Sequence, residues 1–433
     1  MEQFTDPRER ALLVGLSCTE TSDFDNSDED TMEELSRLLE TAGGETALTA
    51  LQNRKTPDPG TFIGEGKAAE LREMMKNMGL TLAVFDNELS PSQTRNLEKA
   101  LDCRIIDRNT LILDIFAQRA NTAEGKLQVE LAQYKYLLPR LSGMWGHLTS
   151  QTASGAKSPI GTRGPGETQL ETDRRHIRRK IQKLEKEIDD LQRIRATQRN
   201  KREKSEVPLV CIVGYTNAGK STMLNALTGA GVHANDRLFD TLDPTTRVLH
   251  TEQLGDILIS DTVGFIRKLP HHLVDAFRST LEELTYADVL VHVIDASDPQ
   301  WRLQAEVVED LCRQLGAEKT PRLMVFNKVD LLRDDQLPRE TGAIYTAASK
   351  GIGLDNLVNN ICRILGEDLK TVNFILPYAQ AGVLDRLYRE ANVKKAEYVE
   401  EGIAIEAVVD PKTYGRIRDL LPESQREPDH EEF

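Results

Sequence analysis

Residues 209–228 constrain the fold of this chain more than any other part of its sequence. They begin with an apolar run, 209–213, which predicts a strand buried on both faces. The pattern G-x-x-x-x-G-K-S follows from Gly214 to Ser221, and residues 222–228 have the composition of a helix. A strand, a glycine-bearing loop and a helix in this order are the context that a phosphate-binding P-loop requires.

Each residue type in this loop suits phosphate binding. Gly214 and Gly219 permit backbone conformations that a side chain would block, so consecutive amides can point at one phosphate. The N-terminus of the following helix adds a positive field, Lys220 adds a point charge, and the Ser221 hydroxyl can ligate Mg²⁺. The predicted phosphate-binding loop is Gly214, Tyr215, Thr216, Asn217, Ala218, Gly219, Lys220 and Ser221.

A second motif follows a predicted strand at 256–260. It consists of Asp261, Thr262, Val263 and Gly264. An aspartate at the tip of such a strand holds Mg²⁺ through a water molecule, and the Gly264 amide can bond a γ-phosphate.

A third motif identifies the base. The predicted strand 322–326 leads into Asn327, Lys328, Val329 and Asp330. The Asp330 carboxylate can accept two hydrogen bonds from guanine N1 and N2 but would repel the adenine edge. Asn327 is expected to tie this loop to the P-loop, and the Lys328 stem to pack over the base. The order and spacing of the three motifs predict a GTPase domain with Mg²⁺ as cofactor and GTP and GDP as substrate and product.

The segment between the P-loop helix and the Asp261 strand contains the predicted switch. A switch loop must offer a threonine whose hydroxyl binds Mg²⁺ when the γ-phosphate is present, and by spacing Thr241, Thr245 and Thr246 are all candidates. A last guanine-contacting loop is expected after residues 343–346. It comprises Ala347, Ala348 and Ser349. Because an alanine stands where a small polar residue is expected, the contact would come from backbone amides.

Other parts of the chain predict three further regions around this domain. Residues 9–120 alternate strand-like and helix-like stretches, which predicts a small α/β domain with a parallel sheet. Within it, the glycines of 64–67 lack the spacing of a second P-loop, so a helix-entry turn is the preferred interpretation over a second nucleotide site. The predicted domains are 1–120, the hairpin and linker 121–206, the GTPase domain 207–368, and 369–433 with an acidic tail.

The hairpin prediction depends on apolar periodicity. Two seams at 127–141 and 177–191 repeat apolar residues at spacings of four and three, which predicts two long antiparallel helices. Pro139 is expected to bend or end the first helix. Residues 142–166 contain six glycines and two prolines, so a functional loop is expected between the helices.

Charge is distributed unevenly along the chain. The net charge of −15 argues against nonspecific nucleic-acid binding by the whole surface. Residues 174–204 nevertheless contain 13 Lys and Arg against 5 Asp and Glu. A basic hairpin tipped by a glycine-rich loop favours an RNA partner, and a solvated helix face without a ligand is the alternative.

The remaining composition indicates a cytoplasmic environment. Five scattered cysteines lack metal-ligand or redox spacing, which is typical of reduced thiols in a cytosol. The N-terminus lacks a signal region, and no apolar run is long enough to span a bilayer. We expect a soluble cytoplasmic monomer, since nothing in the sequence requires a dimer.

Three stretches of the chain, 84–95, 106–119 and 161–175, resemble the HflX family of translation-factor-related GTPases, and the resemblance extends over most of the chain. It implies an α/β architecture in which the N-terminal α/β domain and hairpin precede a P-loop GTPase domain of mixed, mostly parallel sheet. A small C-terminal α/β appendage at 374–417 would complete it. The resemblance also implies a switch that contacts nucleotide through Phe239, Asp240, Thr241, Leu242 and Asp243.

The same resemblance implies roles and partners. Thr241 becomes the Mg²⁺-binding threonine, and the expected catalytic residues are Lys220, Thr241 and Gly264. Members of this family associate with the large ribosomal subunit and are implicated in splitting stalled ribosomes under stress, with the N-terminal domain and hairpin reaching the rRNA. The competing hypothesis is a signalling switch whose hairpin docks a protein partner, which a continuous exposed apolar stripe on the hairpin would favour.

Phe265 stands where many relatives of this fold carry a glutamine that orients the attacking water. A phenyl ring can neither donate nor accept that hydrogen bond. Slow hydrolysis by the isolated protein and stimulation by ribosomal subunits are therefore expected, while simple packing of Phe265 in an apolar pocket is the structural alternative.

Overall fold

The computed structural model describes residues 8–18, 27–152, 165–203, 207–229, 238–239, 245–269, 273, 282–366, 370–380, 382–409 and 411–420. The chain forms two compact units. The first comprises Met1–Arg193, Ala234–Asp243 and Val263–Leu281, and the second comprises Ile194–His233, Pro244–Thr262 and Glu282–Phe433. The boundaries between the four predicted domains stay a prediction.

The first unit contains a four-stranded parallel sheet of order β2-β1-β3-β4. Its strands are β1 (Arg10–Cys18), β2 (Glu45–Arg54), β3 (Leu82–Phe85) and β4 (Arg104–Asp107). The accompanying helices are α1 (Glu29–Thr41), α2 (Glu65–Met78), α3 (Pro91–Leu101) and α4 (Arg108–Arg119). This arrangement confirms the predicted parallel α/β domain.

One strand of this sheet is absent from the sequence prediction. β2 lies at the edge of the sheet, and Ala50 is its only fully buried residue. An edge strand that is mostly exposed needs no apolar run, so the pattern that reveals β1 and β3 is missing there.

Side-chain caps fix where the helices of this domain begin. Asp28, Ser90 and Asp107 each accept a hydrogen bond from the amide three residues further on. α2 instead begins after Gly64, without a side-chain cap. The glycines of 64–67 thus form a helix entry, as the preferred interpretation requires.

The hairpin helices are longer than predicted. α5 spans Ala123–Thr152 and α6 spans Pro165–Glu203. Of the two expectations for Pro139, an end of the first helix is wrong, because α5 continues to Thr152 and buried Leu131 and Leu141 on either side of this proline pack into the interhelical seam. A bend at Pro139 stays a prediction. The predicted loop 142–166 is likewise helical at both ends, and its centre, 153–164, lies outside the described residues.

The second unit contains a six-stranded sheet of order β10-β9-β8-β5-β7-β6. All neighbours are parallel except β6 and β7, which confirms a mixed, mostly parallel sheet. The strands are β5 (Leu209–Gly214), β6 (Thr245–Thr251), β7 (Gly255–Asp261), β8 (Val289–Asp295), β9 (Arg322–Asn327) and β10 (Ile344–Tyr345). The helices are α7 (Lys220–Thr228), α8 (Trp301–Gln314) and α9 (Leu354–Gly366).

The C-terminal part of this unit is a small α/β element, as expected. Its antiparallel strands are β11 (Lys370–Leu376), β12 (Asn392–Val399) and β13 (Gly402–Val409), with β13 in the centre. Its helices are α10 (Gly382–Glu390) and α11 (Pro411–Ile417). The acidic tail lies outside the described residues. None of the helices that the structure describes has the length and apolarity needed to cross a membrane.

Candidate nucleotide-binding site

The predicted phosphate loop connects β5 to α7 at the carboxyl edge of the six-stranded sheet. β5 lies between β7 and β8 and is buried almost along its whole length. Ligands of open α/β sheets bind at this edge, where the carboxyl ends of parallel strands meet. The α7 N-terminus follows the loop directly, so the free amides of its first turn lie at the same place.

Two glycines of the loop are required by neighbouring protein groups as well as by phosphate. A Cβ on Gly214 would overlap with the carbonyl oxygen of Val293 on β8. Gly219 has a φ of +94°, and a Cβ there would overlap with Nδ2 of Asn327. Larger residues at either position would push the loop away from the sheet or from the base-binding loop.

The charged group of the loop is buried, and the Ser221 hydroxyl is half-buried. Lys220 Nζ donates a hydrogen bond to the Tyr215 carbonyl at 2.7 Å. Burial lowers the pKa of Lys220 to about 8, although Asp261 acts in the opposite direction. The Ser221 hydroxyl donates to Oδ2 of Asp261 at 2.6 Å. Burial also raises the pKa of Asp261, because the carboxylate is almost completely removed from water.

This arrangement fits Mg²⁺. Asp261 Oδ1 is buried and has no hydrogen-bond partner among the residues that the structure describes, which leaves one carboxylate oxygen for a metal-bound water. A hydroxyl and a carboxylate are the hard oxygen groups that Mg²⁺ prefers. The described residues contain no group of three or more His, Cys, Asp or Glu that could hold a metal, so phosphate oxygens and water would complete the coordination. Thr241 lies outside the described residues.

Asn327 connects three loops of the site. Its Nδ2 donates to the Ala218 carbonyl of the phosphate loop at 2.9 Å. Its Oδ1 accepts hydrogen bonds from the Thr346 hydroxyl at 3.2 Å and the Ala348 amide at 3.0 Å. One buried amide side chain therefore holds the phosphate loop, its own loop and the last predicted loop together.

The two predicted base-contacting residues each have an ion-pair partner. Lys328, in the left-handed conformation with φ of +60°, lies 2.7 Å from Oδ2 of Asp295 at the end of β8. Asp330 lies on the short turn Val329–Leu331, and its Oδ2 is 2.9 Å from Lys350 Nζ. Neither ion-pair partner is predicted from the sequence. Asp295 ends an apolar strand, the same signal that identified Asp261, whereas nothing marks Lys350.

The last predicted loop, Ala347, Ala348 and Ser349, lies beside Asp330. The Ala347 amide bonds to the Ile352 carbonyl at 3.0 Å, and the Ala348 amide is held by Asn327. Base contacts from this loop stay a prediction.

Of the remaining predicted site residues, Thr262 belongs to the second unit, whereas Val263, Gly264 and 239–243 belong to the first. Val263 and Phe265, which flank Gly264, are buried. The Phe239 ring packs edge-on against Phe116 of α4, with ring centroids 4.7 Å apart. Asp240, Thr241, Leu242 and Asp243 lie outside the described residues.

Known proteins resemble the chain over nearly its whole length. Residues 29–117 match the family model described as GTP-binding GTPase N-terminal, 119–202 match the GTP-binding GTPase middle region, and 209–328 match the 50S ribosome-binding GTPase. GTPase HflX of Caldanaerobacter subterraneus is 45% identical over 422 residues, which cover 97% of this chain and 96% of the relative. The chain belongs to the HflX family of GTPases.

A second HflX protein and a solved structure are also similar to this chain. GTPase HflX of Escherichia coli K12 is 42% identical over 92% of both chains. A crystal structure of a GTP-binding protein from Sulfolobus solfataricus in complex with GDP is 25% identical, covers 83% of this chain and 99% of that chain, and has a TM-score of 0.42. Membership in the HflX family confirms the resemblance noted in the sequence, and GTP hydrolysis is the activity of this chain.

Proposed function

We propose that this HflX-family GTPase binds the large ribosomal subunit and splits or rescues stalled ribosomes under stress, with the basic hairpin and its loop engaging rRNA. The family model that matches 209–328 is described as a 50S ribosome-binding GTPase, which supports the choice of partner. The exposed surface of α6 is the observation that supports RNA as the ligand.

The apolar seams of the hairpin are buried where its two helices pack against each other. Buried side chains from both helices form one cluster of Leu131, Leu141, Ile177, Ile181, Leu184 and Ile188. Ion pairs from Lys135 to Glu185 at 2.9 Å and from Lys180 to Glu130 at 3.2 Å flank it. The apolar groups therefore hold the hairpin together and are not available to a partner.

The outer face of α6 presents cations. Arg178, Arg179 and Lys186 are exposed, and the described part of the chain contains no ion-pair partner for any of them. In the hairpin residues whose exposure is described, 123–141, 171–191 and 193–194, the one exposed large apolar side chain is Ile194. Unpaired cations on a polar face suit a phosphate backbone, whereas the exposed apolar stripe that would favour docking of a protein partner is missing from these described residues.

Co-sedimentation with large ribosomal subunits tests this surface. We expect the double variant Arg178→Ala/Arg179→Ala to weaken binding about tenfold or more at low salt and to reduce the salt dependence, because two phosphate contacts are lost. The double variant Arg302→Ala/Arg313→Ala, which removes two exposed cations from α8, is the charge-matched control. An equal loss of subunit binding in the two double variants would contradict a role for the hairpin surface.

A variant in which the loop at the tip of the hairpin is replaced tests whether the tip takes part in binding. Because α5 extends to Thr152 and α6 begins at Pro165, replacement of 153–164 by a glycine-serine linker leaves both helices intact. We expect this variant to lose subunit binding while keeping its GDP affinity. Normal sedimentation of the variant would show that the tip has no part in binding.

Phe265 bears on the rate of GTP hydrolysis. Its side chain is only 1% exposed and offers no hydrogen-bonding group to a water molecule. We propose that hydrolysis is slow until large subunits bind. Single-turnover GTP hydrolysis should accelerate strongly on addition of large subunits, and unchanged rates would contradict the coupling.

The proposal assigns groups around the phosphates. Ser221 and Thr241 would ligate Mg²⁺, with Asp261 acting through water, and the bound ion would neutralise charge on the β- and γ-phosphates. Lys220 and the Gly264 amide would stabilise the transferred phosphoryl group, and Asn327, Lys328 and Asp330 would select guanine.

A further inference from the structure

Lys350 forms an ion pair with Asp330, the carboxylate predicted to recognise guanine. Nothing in the sequence indicates this pair. The ammonium nitrogen of Lys350 lies 2.9 Å from Oδ2 of Asp330. The Asp330 side chain is only 12% exposed, whereas the Lys350 side chain is 58% exposed. A mostly buried carboxylate is thus contacted from the solvent side by a long, charged side chain.

The backbone that carries Lys350 is closed into a small loop. Ala347 and Ile352 bond to each other in both directions, at 3.0 and 3.2 Å, and the Lys350 amide donates to the Ala347 carbonyl at 2.9 Å. Gly351 completes the turn in the left-handed conformation, with φ of +71°. Lys350 therefore projects from a fixed point, and only its side chain has freedom to move.

This loop is also tied to the turn that carries Asp330. The Val329 amide donates to the Thr346 carbonyl at 3.2 Å, and Asn327 holds both Thr346 and Ala348. The ion pair therefore spans two loops whose relative position is already set. Forming it orders little more than the Lys350 side chain itself.

Recognition of guanine by a carboxylate depends on the orientation of that carboxylate. N1–H and the N2 amino group of guanine lie in one plane, so both oxygens of Asp330 must be presented edge-on. The terminal torsion of an aspartate is broad, and nothing in the side chain itself selects one setting. A carboxylate oxygen has two lone pairs, so Oδ2 can accept from Lys350 and from one base N–H at the same time.

We propose that Lys350 is a positioning residue for base recognition, which orients the Asp330 carboxylate toward guanine and strengthens nucleotide binding through Asp330 alone. The proposal rests on the role of Asp330 given under the proposed function. The hydrogen bond from Lys350 also lowers the pKa of Asp330 below its ordinary value.

Titration of fluorescent GDP tests the proposal. We expect Lys350→Met to weaken GDP binding about two- to fivefold at low salt, because an ion pair made by a solvent-exposed lysine contributes little. The difference in GDP affinity between Lys350→Met and the unmodified protein should become smaller at high salt, where exposed charges are screened. Lys350→Arg should restore most of the affinity. In Lys350→Met the KM for GTP should rise while kcat matches that of the unmodified protein, because the proposal places Lys350 beside the base and not beside the phosphates. Lys319→Met, another exposed lysine of the same unit, is the control.

A double-mutant cycle with Asp330→Asn separates this proposal from the one it rests on. The asparagine amide can donate to the C2 carbonyl of xanthine, so Asp330→Asn should lose GDP binding and gain XDP binding. In that background Lys350→Met should leave XDP affinity nearly unchanged, because the carboxylate it would orient is gone.

The outcomes are distinguishable. Full GDP affinity in Asp330→Asn would overturn both the role of Asp330 and the proposal. Loss of GDP binding in Asp330→Asn together with unchanged GDP affinity in Lys350→Met would overturn the proposal alone. Equal losses from Lys350→Met in both backgrounds would also overturn it, since Lys350 would then act independently of residue 330.

Discussion

The ammonium nitrogen of Lys268 lies 2.5 Å from Oδ2 of Asp86, a carboxylate at the carboxyl edge of the N-terminal sheet. Asp86 is fully buried and also contacts Arg108 Nη1, at 2.8 Å, and the Ser27 hydroxyl. Arg108 in turn donates to the backbone carbonyl of Arg267 at 3.2 Å. Within the first unit, the segment that follows the predicted γ-phosphate motif is therefore held by a buried charge network.

Asp86 is expected to be a main source of stability in this network. Burial by itself would raise the pKa of Asp86, but Arg108 and Lys268 hold it below the ordinary value of 3.8. A carboxylate whose folded-state pKa is lowered stabilises the fold above its unfolded pKa and loses this effect as the pH falls. Asp86→Asn should reduce the free energy of unfolding by about 3–5 kcal/mol at pH 7, because Lys268 loses its carboxylate partner and Arg108 keeps only that of Glu34 among the described residues.

Urea unfolding at several pH values measures this effect. The difference between the unmodified protein and Asp86→Asn should shrink as the pH falls below 3.8. Asp102→Asn, at an exposed surface pair with Arg72, is the matched control and should change stability by less than about 0.5 kcal/mol. A pH-independent difference would argue against a charged Asp86.

Asn327 is expected to stabilise the site through its three hydrogen bonds. Asn327→Ala should lower the free energy of unfolding by about 2–4 kcal/mol, since a buried hydrogen bond contributes about 1 kcal/mol and polar partners are left unpaired. GDP affinity should also fall, because the phosphate and base loops lose their connection. Asn360→Ala, which removes only exposed contacts to Asn356, is the control for both measurements. Equal effects of the two variants would contradict the role of Asn327.

Alanine substitutions at Gly219 and Gly229 distinguish the effect of steric overlap from the effect of backbone conformation. Both glycines have a positive φ, of +94° and +66°, but a Cβ would meet Asn327 only at position 219. Gly229→Ala should destabilise the protein by about 1–2 kcal/mol through the left-handed conformation alone. Gly219→Ala should destabilise it more and abolish tight GDP binding. Thermal unfolding and GDP titration measure the stability and the GDP affinity of both variants. If Gly219→Ala binds GDP as tightly as Gly229→Ala does, the phosphate loop tolerates the extra atom.

The hairpin seam makes a quantitative prediction. Leu184 is 3% exposed within the seam, whereas Ile194 on the same helix is 56% exposed. Leu184→Ala should reduce the free energy of unfolding by about 2–5 kcal/mol, because a buried side chain is replaced by a cavity. Ile194→Ala should change it by less than about 0.5 kcal/mol. Comparable losses, measured by urea unfolding, would indicate that the seam does not hold the two helices together.

Several elements could be predicted because their signals are local. The P-loop, the Asp261 motif and the Asn327–Asp330 motif each occupy consecutive residues next to an apolar strand, so the pattern carries both the structure and the chemistry. The seams at 127–141 and 177–191 are visible for the same reason. β2 lacks such a signal because an exposed edge strand needs no apolar face.

The sequence by itself determined the parallel α/β architecture, the guanine-nucleotide motifs and the family, since these depend on short runs of residues at fixed spacing. The tertiary structure alone decided which distant side chains meet: Lys350 with Asp330, Asp295 with Lys328, and Lys268 with Asp86 across 182 residues. An ion pair leaves no periodic pattern in either partner. It exists only because sheet order and loop closure bring two charges within a few ångströms.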